Sequence, residues 1–161
     1  MSELIKVGMA DMKTCKAPDS VTTLGLGSCV GVAVWDPLTK IGGLAHVMLP
    51  ESSKIKNNTN IYKFADTCIE ALVNELVSKG ASRLRLQAKM AGGAQMFEFQ
   101  NKSNMINVGQ QNVEASKTIL SKLGVKLIAS DTGLNYGRTV IFYPENGRFV
   151  IRCVGKEDKE I

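Results

Sequence analysis

The chain has 161 residues, 44% of them hydrophobic, and a net charge of +5. That length supports one domain, residues 1–161, burying roughly two thirds of the surface its unfolded form exposes, with no need of a disulfide or metal staple. Basic residues are interleaved with acids, as in the closing "GKEDKEI", which disfavours a nucleic-acid-binding face, and no run approaches the roughly 18 apolar residues that span a membrane.

The opening "MSELIKVGMADMKTCK" mixes acid and base and lacks the apolar stretch of a signal peptide. A cytoplasmic protein with reduced thiols is expected, because Cys15, Cys29, Cys68 and Cys153 are widely spaced. Leu4 to Met9 reads as a strand, followed by a turn-rich passage around Pro18 and Asp19. "TTLGLGSC" reads as a glycine-punctuated turn that delivers Cys29 into a strand over Val30 to Trp35. "DPLT" is a turn, and "KIGGLAHVML" a second strand closed by Pro50.

After a polar loop over 51–60 the spacing becomes helical. Ile61, Phe64, Ala65, Cys68, Leu72 and Leu76 recur at three and four residues until Gly80. "RLRLQAKM" alternates strictly and predicts a strand wet on one side. A second helix starts near Asn107, turns Val113, Ser116, Ile119, Leu120 and Leu123 inward, and stops at Gly124. "VKLIAS", "RTVIFY" and "RFVIRCV" add three strands, the last two joined by "PENG" as a hairpin. About seven strands and two main helices predict an α+β protein, an α/β sandwich with layered mixed or antiparallel sheets.

The chain has a single histidine, His46, in the strand after that of Cys29. If residues 36–39 form a four-residue hairpin loop, Trp35 opposes Lys40 and Cys29 opposes His46. An imidazole there can take the thiol's proton and leave a nucleophilic thiolate. Gly25 and Gly27 permit a tight turn whose N–H groups, near Gly27, Ser28 and Cys29, face a developing oxyanion, and Thr23 is placed to orient the imidazole. A buried, inert cysteine is the other reading these residues leave open.

Cys15, standing in a loop, Cys68, on the helix stripe, and Cys153, in the last strand, are assigned structural places. No metal site or cofactor is expected from one histidine and scattered cysteines. Gly92 and Gly93 in "AGGAQMF" lack a phosphate-loop pattern and suggest a turn or close backbone approach to substrate. Met96, Phe97 and Phe99 offer either core packing or an apolar docking patch.

"TLGLGSCVGV", "GLAHVMLP", "KFADT", "AKMAGGAQMF", "INVGQQNVEA" and "SDTGLNYGRTV", in this order, resemble the chemoreceptor glutamine deamidase family, CheD, over about residues 3–155. The resemblance implies a cytoplasmic hydrolase that converts glutamines of methyl-accepting chemoreceptors to glutamate through a cysteine thioester. Its Cys-His-Thr set falls on Cys29, His46 and Thr23. It also implies the CheC phosphatase as protein partner, and a fold similar to the deamidating domain of cytotoxic necrotizing factor toxins. A regulatory protein whose main task is binding CheC, and a receptor methylesterase, are the alternative functions. Leu134 departs from the family, which commonly has glycine there.

Overall fold

Residues 2–52, 60–95 and 107–161 are described by the computed structural model. Among them the strands are β1 (Leu4–Val7), β2 (Asp11–Lys16), β3 (Ser20–Leu26), β4 (Val30–Asp36), β5 (Ile41–Val47), β6 (Gln87–Gly92), β7 (Lys126–Thr132), β8 (Arg138–Tyr143), β9 (Arg148–Arg152) and β10 (Lys159–Glu160). The helices are α1 (Ala65–Ser78) and α2 (Val108–Lys122).

One sheet has the order β1-β3-β8-β9-β10 and the other β2-β5-β4-β6-β7. Both are mixed, because β1 runs parallel to β3 and β6 parallel to β7 while the remaining pairs are antiparallel. The α+β class read from the sequence holds.

Strand β4 shows how the layers stack. Val30, Val32 and Val34 pack with Ile69, Leu72 and Leu76 of α1 and with Val113 and Leu120 of α2. Ala33 and Trp35 point the other way, into a second core with Val21, Val140, Phe142 and Phe149 of the opposite sheet. A strand covered on both faces reads as a continuous apolar run, which is why "VGVAVW" shows no alternation. Helices, one sheet and the other sheet therefore form three layers, and the Trp35 and Phe142 rings meet between the sheets with centroids 5.2 Å apart.

Several expectations change. The strands number more than the predicted seven, because β2 buries only Met12 and so lacks an apolar signature, and because glycines obscured β3. Cys15 consequently lies in β2 rather than a loop, and Cys153 falls just beyond β9 rather than in the last strand. "RLRLQAKM" divides: Arg83–Arg85 form a 3-10 turn, Leu84 is 97% exposed, and the strand begins at Gln87. The buried Asp36 carboxylate holds that turn, accepting from the Ser82 N–H at 2.9 Å and from the Arg85 Nη2 at 2.9 Å. The first helix begins at Ala65, since extended Phe64 separates it from a 3-10 turn over Ile61–Lys63.

The hairpin loop is residues 37–40, with Asp36 opposite Ile41, so Gly31 and not Cys29 faces His46. Asp36 draws the loop toward the strand end: its Oδ1 accepts from the Leu38 N–H at 2.9 Å, and its carbonyl accepts from the Lys40 N–H at 2.8 Å. The register therefore moves by two residues. A shift of two preserves the face, where a shift of one would have reversed it.

Candidate active site

Thr23 lies on β3 of one sheet and His46 on β5 of the other, both buried between the sheets. Thr23 Oγ1 is 2.7 Å from His46 Nδ1 and donates to the Val7 carbonyl at 2.8 Å. A hydroxyl has one hydrogen. With that hydrogen on the Val7 carbonyl, Oγ1 must accept from the histidine, which places the ring proton on Nδ1 and leaves a lone pair on Nε2. The opposite assignment would set two oxygens 2.8 Å apart with no hydrogen between them. Among the described residues Nε2, also buried, has no hydrogen-bond partner. Burial lowers the histidine pKa from its ordinary 6.5, so the ring is a neutral base at neutral pH.

Cys29 sits in the loop that carries the chain from β3 in one sheet to β4 in the other. It shares the inter-sheet core with Ala33 and Ala91 and is 8% exposed. Gly31 faces His46, and Cys29 precedes it by two residues, one before β4 begins, with its side chain in the same inter-sheet core. Burial pushes the thiol pKa up, and the residue's own backbone N–H, beside the sulfur, opposes that by favouring the thiolate. Cys68, with burial and Asp11 against it, is pushed up to about 12, and Cys15 to about 11. Neither forms a thiolate near neutrality.

The loop is held from several sides. The Gly93 N–H donates to the Cys29 carbonyl at 2.9 Å, and the Ala94 N–H to the Gly27 carbonyl at 2.8 Å. A Cβ on Gly92 would stand 2.3 Å from the Cys29 carbonyl oxygen, so only glycine allows this approach. The "AGG" segment thus contacts the backbone of the cysteine. Of the glycines expected to meet the substrate or its oxyanion, Gly93 and Gly27 have their N–H groups occupied, the latter by the Gly25 carbonyl at 3.0 Å. Gly92 acts through its lack of a side chain, and Ser28 contributes the peptide whose N–H belongs to Cys29. Met96, Phe97 and Phe99 lie outside the described residues.

Two further polar residues support the site and were not read from the sequence. Asn112 of α2 is fully buried, and its Nδ2 donates to the Ser28 carbonyl at 2.9 Å and the Met48 carbonyl at 3.0 Å. Arg138 of β8, also buried, bonds Asp131 Oδ2 through Nε at 3.1 Å and the Gly133 carbonyl through Nη1 at 3.1 Å, behind the Gly92 turn. Each leaves a signal in retrospect: Asn112 precedes Ser116 by four on the inner stripe of its helix, and Arg138 opens an otherwise apolar strand. Leu134 has φ +62°, the left-handed region that glycine occupies without strain, and its carbonyl accepts from the Gln95 N–H at 2.9 Å. It borders a cleft of about 290 Å³ shared with Gly93, Gln110 and Thr132.

A thiol, a neutral imidazole with an open nitrogen and a hydroxyl that sets its tautomer are the groups that acyl-transfer hydrolases bring together. The family described as "CheD chemotactic sensory transduction" matches residues 48–153, and the chain belongs to it. A relative from Lachnoclostridium phytofermentans, named "Probable chemoreceptor glutamine deamidase CheD", is 58% identical over the whole of both chains. Another from Halalkalibacterium halodurans, named "Chemoreceptor glutamine deamidase CheD", is 46% identical, again over the whole of both. In fold, the chain is similar to the crystal structure of a Neisseria meningitidis protein of family DUF152, with a TM-score of 0.54 at 10% identity over 89% of this chain and 76% of that one.

Proposed function

We propose that this chain is a single deamidase domain over residues 1–161 that hydrolyses glutamine side-chain amides of chemoreceptors to glutamate and ammonia, with Cys29 as nucleophile, His46 as base and Thr23 as the residue that orients it. The observation that carries this reading is the bond order Val7 carbonyl, Thr23 hydroxyl, His46 Nδ1, which turns an unprotonated Nε2, with no partner among the described residues, to the face Cys29 shares. Full-length relatives named for glutamine deamidation supply the substrate class.

The raised thiol and lowered imidazole pKa values mean that the resting pair is neutral. As sulfur adds to the amide carbon, Nε2 removes the thiol proton, and the new oxyanion is met by the Cys29 N–H. The imidazolium passes that proton to the amide nitrogen, the C–N bond breaks, and ammonia leaves a thioester. Nε2 then takes a proton from water as the hydroxide adds to the thioester carbon. The C–S bond breaks, the sulfur recovers a proton, and glutamate is released. Thr23 is uncharged, so it fixes the tautomer without the stabilisation of imidazolium that a carboxylate provides.

The site is placed in the cytoplasm, acting on the receptors' cytoplasmic domains, with CheC phosphatase as protein partner. Family resemblance supports both assignments, and among the described residues no helix is long and apolar enough to cross a membrane. Incubation with a receptor cytoplasmic fragment, followed by peptide mass spectrometry, tests the activity. Conversion of glutamine to glutamate is expected, with loss of conversion in Cys29→Ala and His46→Ala. Conversion unchanged in both variants would refute the assigned chemistry. Binding of CheC by titration calorimetry tests the partner.

A further inference from the structure

We propose that Asn112 is a positioning residue for oxyanion stabilisation: by holding the Ser28 carbonyl it aims the N–H of the same peptide unit, that of Cys29, at the substrate oxygen. The inference rests on Cys29 being the nucleophile.

A trans peptide is planar, with its C=O and N–H pointing in opposite directions, so a group that fixes one fixes the other. Three successive carbonyls of the nucleophile loop are held from outside it. Ala94 N–H holds that of Gly27, Asn112 Nδ2 that of Ser28, and Gly93 N–H that of Cys29. Two of these donors are backbone groups of the neighbouring "AGGA" segment. The middle one is a side chain, and it acts on the peptide that carries the Cys29 N–H.

Asn112 also donates to the Met48 carbonyl, and Met48 follows the end of β5 where Val47 pairs with Val30. One buried NH2 group therefore ties the nucleophile loop to the end of the histidine strand. Only the amide nitrogen has two hydrogens to give, so the two carbonyls also decide the orientation of the amide. Polarising the Ser28 carbonyl strengthens the attached N–H as a donor. Among the described residues, no other side chain of α2 hydrogen-bonds this peptide.

The test compares Asn112→Leu, which removes both donors at similar volume, with wild type in two assays. In deamidation, kcat is expected to fall about tenfold to a hundredfold with KM nearly unchanged, below the roughly 10²–10³ typical of deleting an oxyanion donor outright. In iodoacetamide alkylation, with Cys29 identified by peptide mass, the profile is expected to move to higher pH as the thiolate loses its aligned N–H. A purely structural role would lower the melting temperature and move neither profile nor kcat at temperatures where the variant is folded. If the leucine variant does not fold, Asn112→Thr keeps one donor and is expected to give a smaller fall in kcat. Wild-type kcat and alkylation in a folded variant overturn the proposal. Activity retained by Cys29→Ala would instead refute the nucleophile assignment, and the alkylation profile, which needs no substrate, would still report on Asn112.

Discussion

Thr23 and His46 belong to different sheets, yet Thr23 Oγ1 approaches His46 Nδ1 to 2.7 Å, so the tautomer of the imidazole is set across the sandwich. Thr23→Val keeps the shape and removes the hydroxyl. Deamidation is expected to fall by on the order of 10², the lower range of general-base contributions. Stability should fall by about 1–3 kcal/mol, because the Val7 carbonyl and Nδ1 lose their partner in a buried place. Thr23→Ser should retain most activity. Steady-state kinetics and denaturant titration read both effects.

The pH dependence follows from neutral resting groups. His46 is lowered by burial, so the unfolded chain takes up its proton first as pH falls through 6.5, and the folded protein loses stability progressively from there toward its own lower value. Cys29 is raised, so its contribution is present below the ordinary thiol value of 9.0 and is lost as pH rises through the folded value. Alkylation of Cys29 should accordingly show no thiolate plateau near pH 7 and should rise only in the alkaline range. A plateau at neutral pH would mean a preformed ion pair.

Gly92 and Gly25 should respond differently to alanine. At Gly92, with φ +112°, a Cβ meets the Cys29 carbonyl oxygen at 2.3 Å, and Gly92→Ala is expected to abolish deamidation by displacing the Cys29 backbone. Gly25 has φ +73° and open space around its Cβ position, so Gly25→Ala carries only the left-handed backbone penalty of roughly 1–2 kcal/mol. Activity and melting temperature, measured together, separate the two.

Arg138→Met should destabilise the fold by about 3–5 kcal/mol, because it strips a buried partner from Asp131 and from the Gly133 carbonyl. The surface bridge from Lys159 to Asp131, at 3.2 Å, does not replace it. Denaturant unfolding gives the magnitude.

Asp36 binds the Leu38, Thr39 and Ser82 N–H groups and the Arg85 guanidinium. Although burial alone would raise its pKa, these donors hold the carboxyl well below the ordinary 3.8. Its stabilisation is therefore complete above that ordinary value and lost as pH falls toward the folded one. Asp36→Asn should lower the melting temperature at neutral pH and flatten the acid side of the stability curve.

Periodicity is local, and it was sufficient to find both helices, the doubly buried β4 and the hairpin that follows it. It also puts Cys29 and His46 on one face, and the observed pairing keeps them there because it differs from the expected register by two residues. The glycines that obscured β3 and the sparse burial of β2 are equally local, and they hid strands whose pairing partners lie elsewhere in the chain.

By itself the sequence determined the family, the thiol and the single histidine, and which face of the hairpin they share. Only the tertiary structure decided which histidine nitrogen carries the proton, since that depends on the Val7 carbonyl reaching Thr23 from a parallel strand. It alone showed Asn112 gripping the Ser28 carbonyl, a residue 84 positions away, because a buried amide's partners are chosen by how helix and sheet pack. Residue spacing carries information about faces; hydrogen-bond direction is settled where distant segments meet.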